Sequence, residues 1–167
     1  MKKTNHKKYD TKTDEKSRQA FKDIIKILEE YLKEKIELTI SGSQDDFNGI
    51  DVKTVVTNKT IQIKNYVYCI RNFKVYSNTI VCPMKNYDEY IKNGIDYLFC
   101  SYYMDDNPTK IIQYGLIEIN KLKNIKPDET NKLIHKSDHY VWNYSNPEIK
   151  KNLIIIKQYI DEDICLI

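Results

Sequence analysis

The chain has 167 residues, of which 41% are apolar and 31% are charged, and its formal net charge is +3 at pH 7. A chain of this length usually closes around one core, and its apolar content excludes the class of disordered chains. The mild net charge neither requires nor excludes a phosphate-rich partner. No run approaches the roughly 18 apolar residues that span a bilayer, and the four cysteines form no Cys-x-x-Cys pair. A soluble, cytoplasmic protein with no membrane partner is therefore expected.

The chain begins with a basic segment. Its first eight residues, MKKTNHKK, include five lysines or histidines and no acid. Two interpretations stay open, namely a solvated, frayed terminus and a basic arm that reaches a nucleic-acid backbone. Residues 1–12 are therefore assigned to a flexible basic tail, and residues 13–167 are assigned to a single domain.

The first regular element that the sequence predicts is an amphipathic helix. Thr11, Thr13 or Asp14 can cap it, and apolar residues then recur every three or four positions to about Lys35. Residues 36–40 read IELTI, and this alternation predicts a half-buried strand. After the polar loop SGSQDDFNG, the segments VKTVV and TIQIK flank a short connection and predict a β-hairpin.

The middle of the chain predicts a helix followed by two strands. Residues 67–82 are ambiguous, and residues 83–93 predict a helix that Gly94 closes. Two apolar runs, residues 95–103 and 110–119, predict strands joined at the turn MDDNPT.

The last part of the chain predicts a strand and a C-terminal helix. Residues 121–137 are polar and predict loops with a short helix. The alternation YVWNY at residues 140–144 predicts a strand with one aromatic face against the core. Asn146-Pro147-Glu148 is a typical helix start, because proline is favoured at the first helical position. The helical face that would follow consists of Ile149, Leu153, Ile156 and Ile160. Together these elements predict a mixed α/β domain with an antiparallel hairpin near its centre.

The predicted hairpin separates polar from apolar side chains. With Asn58 and Lys59 at the tip, Lys53 would face Lys64 and Asp51 would face Tyr66. Side chains alternate between the two faces of a strand. One face would then carry Asp51, Lys53, Val55, Gln62 and Lys64. The opposite face would supply the core with Val52, Val56, Ile61 and Ile63.

A carboxylate, an amide oxygen and an ammonium group at one end of a hairpin suit metal-assisted chemistry on phosphate. Mg²⁺ prefers hard oxygen ligands and keeps several waters, so Asp51, an amide or backbone carbonyl and a phosphate oxygen make a suitable shell. Lys64 would then position a water or stabilise the charge that grows on phosphorus. The alternative is that these residues are only the solvated face of a hairpin.

Gly49-Ile50-Asp51, followed after eleven residues by Gln62-Ile63-Lys64, resembles the metal-binding motif of the PD-(D/E)XK nucleases. The closest form is the Gln-x-Lys variant of Mrr-type restriction endonucleases. The resemblance implies a restriction-endonuclease-like α/β core in the order αβββαβ, a mixed central sheet flanked by helices, and a nuclease-like domain over residues 13–167. It also implies that Asp51, Gln62 and the Ile63 carbonyl bind the metal, and that Lys64, Asp51 and Gln62 are catalytic.

The chain departs from this family pattern at two places. Ile50 stands where the family has its name-giving proline. Many members also carry a glutamate on the first helix that reaches the metal, and the candidates here are Asp14, Asp23 and Glu30. The position of the apolar face on this helix does not single out any of the three as the metal-binding acid.

The same resemblance implies a cofactor and a partner. The cofactor would be Mg²⁺ or Mn²⁺, and the partner would be DNA, whose phosphates Lys53, Lys59, Arg71 and Lys74 would contact. The function predicted is a metal-dependent DNA endonuclease that hydrolyses phosphodiester bonds. It is compatible with a homodimer, because cutting both strands commonly needs two sites. The alternative is a catalytically inactive module on the same fold that binds nucleic acid or protein.

Two further sets of polar residues are candidate ligands. Asp45 and Asp46 precede the motif. They are either loop residues that turn the chain or residues that support the metal ligands without binding the ion directly. His135 and His139 lie four residues apart but have no acid or cysteine at ligand spacing, so a metal role is not expected.

Overall fold

The structure is a computed structural model that describes residues 11–67, 78–104, 110–131 and 138–158, except for the side chains of residues 11–17, Val67 and Asn131. These residues form a mixed α/β fold with helices on a mixed sheet. The helices are α1 (Thr11–Leu32), α2 (Gln44–Phe47), α3 (Met84–Lys92), α4 (Ile119–Leu122) and α5 (Pro147–Asn152). The strands are β1 (Ile36–Leu38), β2 (Val52–Thr54), β3 (Thr60–Val67), β4 (Thr79–Pro83), β5 (Tyr97–Met104), β6 (Lys110–Glu118), β7 (Glu129–Asn131), β8 (His139–Asn143) and β9 (Leu153–Lys157).

The strands form two sheets. Six strands pair in the order β1-β2-β3-β5-β6-β9, and three pair in the order β4-β8-β7. In the larger sheet β3 and β5 are parallel, and all other pairs of adjacent strands are antiparallel. The parallel pair requires a crossover connection, and α3 lies within that connection.

Helix α1 covers one face of the larger sheet. Its apolar stripe, Ala20, Ile24 and Leu28, is fully buried in a core cluster that also contains Val52, Ile61 and Ile63. Successive residues of a strand point to opposite faces, so this cluster fixes which side of β3 is apolar. The prediction of a long amphipathic helix is confirmed, although the helix ends at Leu32 and Lys33 adopts a left-handed conformation, with φ 55°.

A second core cluster lies on the opposite face of the sheet. It combines Leu98 and Cys100 of β5 with Tyr87 and Tyr90 of α3 and with Trp142 of the smaller sheet. Trp142 is fully buried and donates its indole N–H to the carbonyl oxygen of Ile125 at 2.9 Å. The predicted strand with an aromatic face against the core is thereby confirmed as β8.

The predicted hairpin is confirmed, but its predicted register is wrong. The sequence places Lys53 opposite Lys64, whereas Lys53 pairs with Thr60 in the structure. The connection is wider than expected because the Glu34 carboxylate accepts hydrogen bonds from the backbone N–H groups of Val56 and Thr57, both at 3.0 Å. Val56 is consequently 79% exposed instead of lying in the core.

The shift in register preserves the two faces. Lys53 moves by four positions along β3, which is an even number, so the side chains of the paired residues stay on the predicted side. Val52, Ile61 and Ile63 are buried against α1 as predicted. The polar set therefore still shares the opposite face.

The predicted C-terminal helix is wrong beyond its first turns. Asn146 caps α5 by accepting the N–H of Glu148 at 3.0 Å, so the predicted start is confirmed. The chain then leaves the helix and forms β9, in which Ile155 pairs with Leu116 of β6. The three consecutive β-branched isoleucines of the run LIII favour a strand once an open sheet edge is available.

Replacing Ile155 by alanine is expected to lower the free energy of unfolding by about 2–5 kcal/mol, because this side chain is only 2% exposed. Replacing Ile156, which is 38% exposed, by alanine should lower the free energy of unfolding by less than about 1 kcal/mol. Urea unfolding of the two variants measures both values. A larger loss for Ile156 would contradict the strand and agree with the helical face.

Most other predicted elements are confirmed with small changes at their ends. Helix α3 and strands β5 and β6 occupy the predicted positions, and the ambiguous stretch before α3 contains β4. The predicted turn at residues 105–109 lies outside the described residues, as do residues 1–10. In the described part of the chain, no helix combines the length and the apolar character needed to cross a bilayer.

Candidate active site

Asp51 lies where strand β2 begins and its pairing with β3 stops. Its carboxylate oxygen Oδ2 accepts a hydrogen bond from the backbone N–H of Ile63 at 2.8 Å. The carboxylate thus accepts the hydrogen bond that a backbone carbonyl of a neighbouring strand would otherwise accept. It fixes Asp51 beside the Gln62-Ile63-Lys64 segment. Among the described residues, Oδ2 alone of the two carboxylate oxygens has a hydrogen bond, so the group keeps acceptor capacity.

The surroundings of Asp51 disfavour its charged form. Burial raises the pKa of the Asp51 carboxyl above its ordinary value, and the negative charge of Asp46 acts in the same direction. The Ile63 N–H group and the Lys64 ammonium oppose this shift but do not cancel it. A carboxylate that is desolvated near a cationic side chain is characteristic of functional sites, although structural networks also produce it.

Gln62 shares the face of Asp51 but is more enclosed than a solvated hairpin residue. It is 6% exposed, and its Nε2 donates to the carbonyl oxygen of Ile63 at 3.2 Å. The side-chain amide and the Ile63 carbonyl, which the family resemblance pairs as ligands, are therefore neighbours. The atom that faces the carbonyl is the amide nitrogen, so binding of one ion by both oxygens requires the Gln62 amide to turn.

Lys64 completes the set on this face. Its Nζ lies 5.5 Å from the ring centroid of Tyr90, a residue of α3. Burial alone would lower the pKa of Lys64, but the charge of Tyr90, a side-chain hydrogen bond with Tyr90, and the charges of Cys82 and Asp51 together outweigh burial and raise this pKa. The ammonium group is thus charged at neutral pH.

Tyr90 and Gly49 are in contact near Lys64, and the sequence does not predict this contact. Gly49 has φ +84°, and a Cβ built on it would lie 2.6 Å from Cε1 of Tyr90. In the sequence, Gly49 belongs to the Gly-Ile-Asp pattern and Tyr90 lies within the helix predicted over residues 83–93. The fold brings them together over the hairpin, and no local pattern in the sequence indicates this.

Among the acids proposed on the first helix, the described side chains of Asp23 and Glu30 are not brought to Asp51. Helix α1 covers the face of β3 that bears Ile61 and Ile63, whereas Gln62 and Lys64 project from the other face. Asp23 accepts a hydrogen bond from Gln19 at 3.5 Å on the helix surface, and Glu30 is exposed and acts on Tyr114. The side chain of Asp14 lies outside the described residues.

The loop before Asp51 supplies nearby acids instead. Asp46 is close enough to influence the Asp51 carboxyl, and its Oδ2 accepts the N–H of Gly42 at 2.9 Å. Asp45 forms an ion pair with Lys53 at 2.7 Å. Asp45 and Asp46 lie in the first turn of the short helix α2 and not in an irregular turn, and Asp46 is a neighbour of the candidate site.

The lysines and arginine predicted to contact phosphates have different settings. Lys59 is exposed at the end of the hairpin connection, whereas Lys53 is held by Asp45. Arg71 and Lys74 lie outside the described residues.

The described cysteines and histidines form no alternative centre. Burial raises the pKa of the Cys82 and Cys100 thiols to about 12, so these two are unreactive core residues. His139 is buried in β8, and His135 is not described. Within the described ranges, no group of three or more His, Cys, Asp or Glu side chains is arranged to hold a metal ion.

Asp51, Gln62 and Ile63 nevertheless offer hard oxygens of the kind that Mg²⁺ binds, with one carboxylate and neutral donors. Comparison with known proteins adds nothing to this geometry. No protein-family model matches the chain, and no curated protein is significantly similar to it.

Proposed function

We propose that the protein is a metal-dependent DNA endonuclease that hydrolyses phosphodiester bonds at the face formed by Asp51, Gln62 and Lys64. The observation that carries the proposal is the 2.8 Å hydrogen bond from Ile63 N–H to the Asp51 carboxylate. It joins Asp51 to the Gln62-Ile63-Lys64 segment, which lies eleven residues further along the chain. In the predicted register, Asp51 would instead have faced Tyr66. This contact supports assigning the acid, the amide and the ammonium to one site.

The order of elements supports a restriction-endonuclease-like core. Helix α1, the antiparallel strands β1, β2 and β3, helix α3 and strand β5 follow one another as helix, three strands, helix and strand. The short helix α2 and strand β4 are additions to this order. The candidate residues lie at the β2–β3 junction, between the first strands of the core and the helix that follows them.

Each residue has a distinct role in this proposal. Asp51, the Gln62 side chain and the Ile63 carbonyl would hold Mg²⁺ or Mn²⁺. The bound ion supplies an activated water and neutralises charge on the phosphate. Lys64, kept protonated by its surroundings, donates to a phosphate oxygen and stabilises the charge that develops on it. A charged Lys64 cannot accept a proton, so it is an electrostatic group and not the general base.

A second candidate function is favoured by the setting of Gln62. Its amide is buried and already donates to the Ile63 carbonyl, and Asp51 is the single carboxylate of the triad. Such an arrangement also suits a catalytically inactive module that binds nucleic acid or protein through the same fold. The two functions differ in one respect, since only the first requires bond cleavage.

Incubation with supercoiled and branched DNA, in Mg²⁺, Mn²⁺ or EDTA, separates the two. The endonuclease should convert supercoiled DNA into nicked or linear forms with either metal but not in EDTA. The proposal is wrong if the wild-type chain cleaves no substrate or if Asp51→Ala cleaves as well as wild type. Binding of DNA without cleavage would favour the inactive module.

A further inference from the structure

Tyr90 lies over the ammonium group of Lys64 from an element outside the motif. The residue is on the buried side of α3 and is 5% exposed. The Lys64 Nζ sits 5.5 Å from its ring centroid, within the roughly 6 Å over which an aromatic ring attracts a cation. A lysine side chain has four rotatable bonds, so an ordered ammonium needs a partner of this kind.

Gly49 makes the approach of this ring possible. A Cβ at position 49 would lie 2.6 Å from Cε1 and 2.9 Å from Cδ1 of Tyr90. Real Cβ atoms do not come this close to a ring, and the ring is packed in the core and has little freedom to withdraw. The positive φ of Gly49 adds a second reason against any larger residue.

Helix α3 also holds the loop that carries Asp51. The side-chain amide of Asn93, at the end of α3, donates to the carbonyl oxygen of Asn48 at 3.0 Å. Ile95 lies 3.5 Å from the position of the same hypothetical Cβ of Gly49. One helix end thus contacts the loop before Asp51 and, through Tyr90, the side chain of Lys64.

We propose that Tyr90 is the positioning residue for Lys64, and that Gly49 is required at its position to admit the Tyr90 ring. The ring and its hydroxyl together hold the ammonium on the face shared with Asp51. The contribution to catalysis rests on the proposed nuclease function, whereas the placement of Lys64 does not. The two can therefore be tested separately.

The placement is measured by NMR in the absence of metal and DNA. Protons above an aromatic ring resonate upfield, so the Lys64 side-chain methylene signals should lie upfield of those of the other lysines. Assignment uses Lys64→Arg. Tyr90→Phe keeps the ring and should retain the upfield shift, whereas Tyr90→Leu should abolish it. Tyr87→Leu, at another buried tyrosine of α3, is the matched control and should leave the shift in place.

Ordinary Lys64 shifts in the wild type, or shifts that Tyr90→Leu leaves unchanged, would overturn the proposal. Gly49→Ala supplies an independent arm, because displacing the ring should reduce the upfield shift while Tyr90 itself is intact. An unchanged shift in Gly49→Ala would overturn the part that concerns Gly49.

The catalytic consequence is measured as DNA cleavage. Tyr90→Leu should lower the cleavage rate by about 10²-fold, the loss typical of a catalytic group displaced by about 1 Å, and Tyr90→Phe should recover most of it. Equal cleavage by Tyr90→Leu and wild type would overturn the positioning role. If the wild type does not cleave, the proposed function fails, and the NMR shifts still decide whether Tyr90 places Lys64.

Discussion

Replacing Lys64 by alanine is expected to lower the rate of metal-dependent DNA cleavage by about 10²–10³-fold, the loss typical of removing one group that stabilises transition-state charge. The reason is that Lys64 is the cation placed beside Asp51 on this face and is held protonated there. Lys64→Arg should recover part of the rate because it keeps the charge, but not all of it, because the guanidinium has a different shape. Single-turnover cleavage of supercoiled DNA measures these rates.

Lys150→Ala is the matched control for this loss of charge. Lys150 is exposed on α5, which leads into β9 at the sheet edge remote from β1 and β2. Its removal changes net charge equally but leaves the candidate site intact, so its cleavage rate should match that of the wild type. Similar losses for the Lys64 and Lys150 variants would show that general attraction to DNA, and not a catalytic role, explains the effect.

Asp51→Asn is expected to raise the free energy of unfolding of the metal-free protein at pH 7 by about 0.5–2 kcal/mol, the usual gain when a costly functional group is removed. The asparagine keeps an oxygen for the Ile63 N–H but carries no buried charge. Asp23→Asn, on the surface of α1, is the control and should change stability little. Urea unfolding in EDTA measures both variants.

The gain should depend on pH in a defined direction. Burial raises the pKa of Asp51 in the folded state, so the folded chain holds this proton more tightly than the unfolded chain. At a pH below the unfolded value of about 3.9, both states are protonated and the wild type has no penalty. The penalty grows as pH rises through the folded pKa and is constant above it. The advantage of Asp51→Asn should therefore disappear on acidification, and an advantage that grew at low pH would contradict the assignment.

Added metal should make the wild type more stable than Asp51→Asn, which is the reverse of their order in EDTA. An ion that binds only the folded state stabilises it by about 2.7 kcal/mol at a hundredfold excess over its dissociation constant. The wild type should gain this stabilisation from Mn²⁺, and Asp51→Asn should gain little. Equal gains would place the metal elsewhere.

The separation of polar and apolar faces in the hairpin could be predicted because it depends only on the alternation of side chains. Lys53 pairs four residues away from its predicted partner, yet the faces survive because the displacement is even. The register itself depended on Glu34, whose side chain reaches the connection from 22 residues away in the chain. A contact of this kind leaves no local signal, so Val55 and Val56 were wrongly placed within the hairpin.

The remaining errors have the same origin. Strand β9 has an apolar period that also suits a helix, and the choice was made by the open edge of β6. The pattern of α1 alone also does not reveal that this helix packs on the face opposite Gln62 and Lys64, so it gives no ground for choosing among Asp14, Asp23 and Glu30 as a helix acid. Tyr90 reaches Lys64 only through the packing of α3.

The most direct test of the candidate metal site is an NMR titration of the isotope-labelled chain with substoichiometric Mn²⁺, which broadens the signals of nearby nuclei. The backbone amides of Asp51, Gln62, Ile63 and Lys64 should broaden first, and this pattern should be absent from Asp51→Asn. Broadening that begins at other acids, or that persists unchanged in Asp51→Asn, would contradict the metal site.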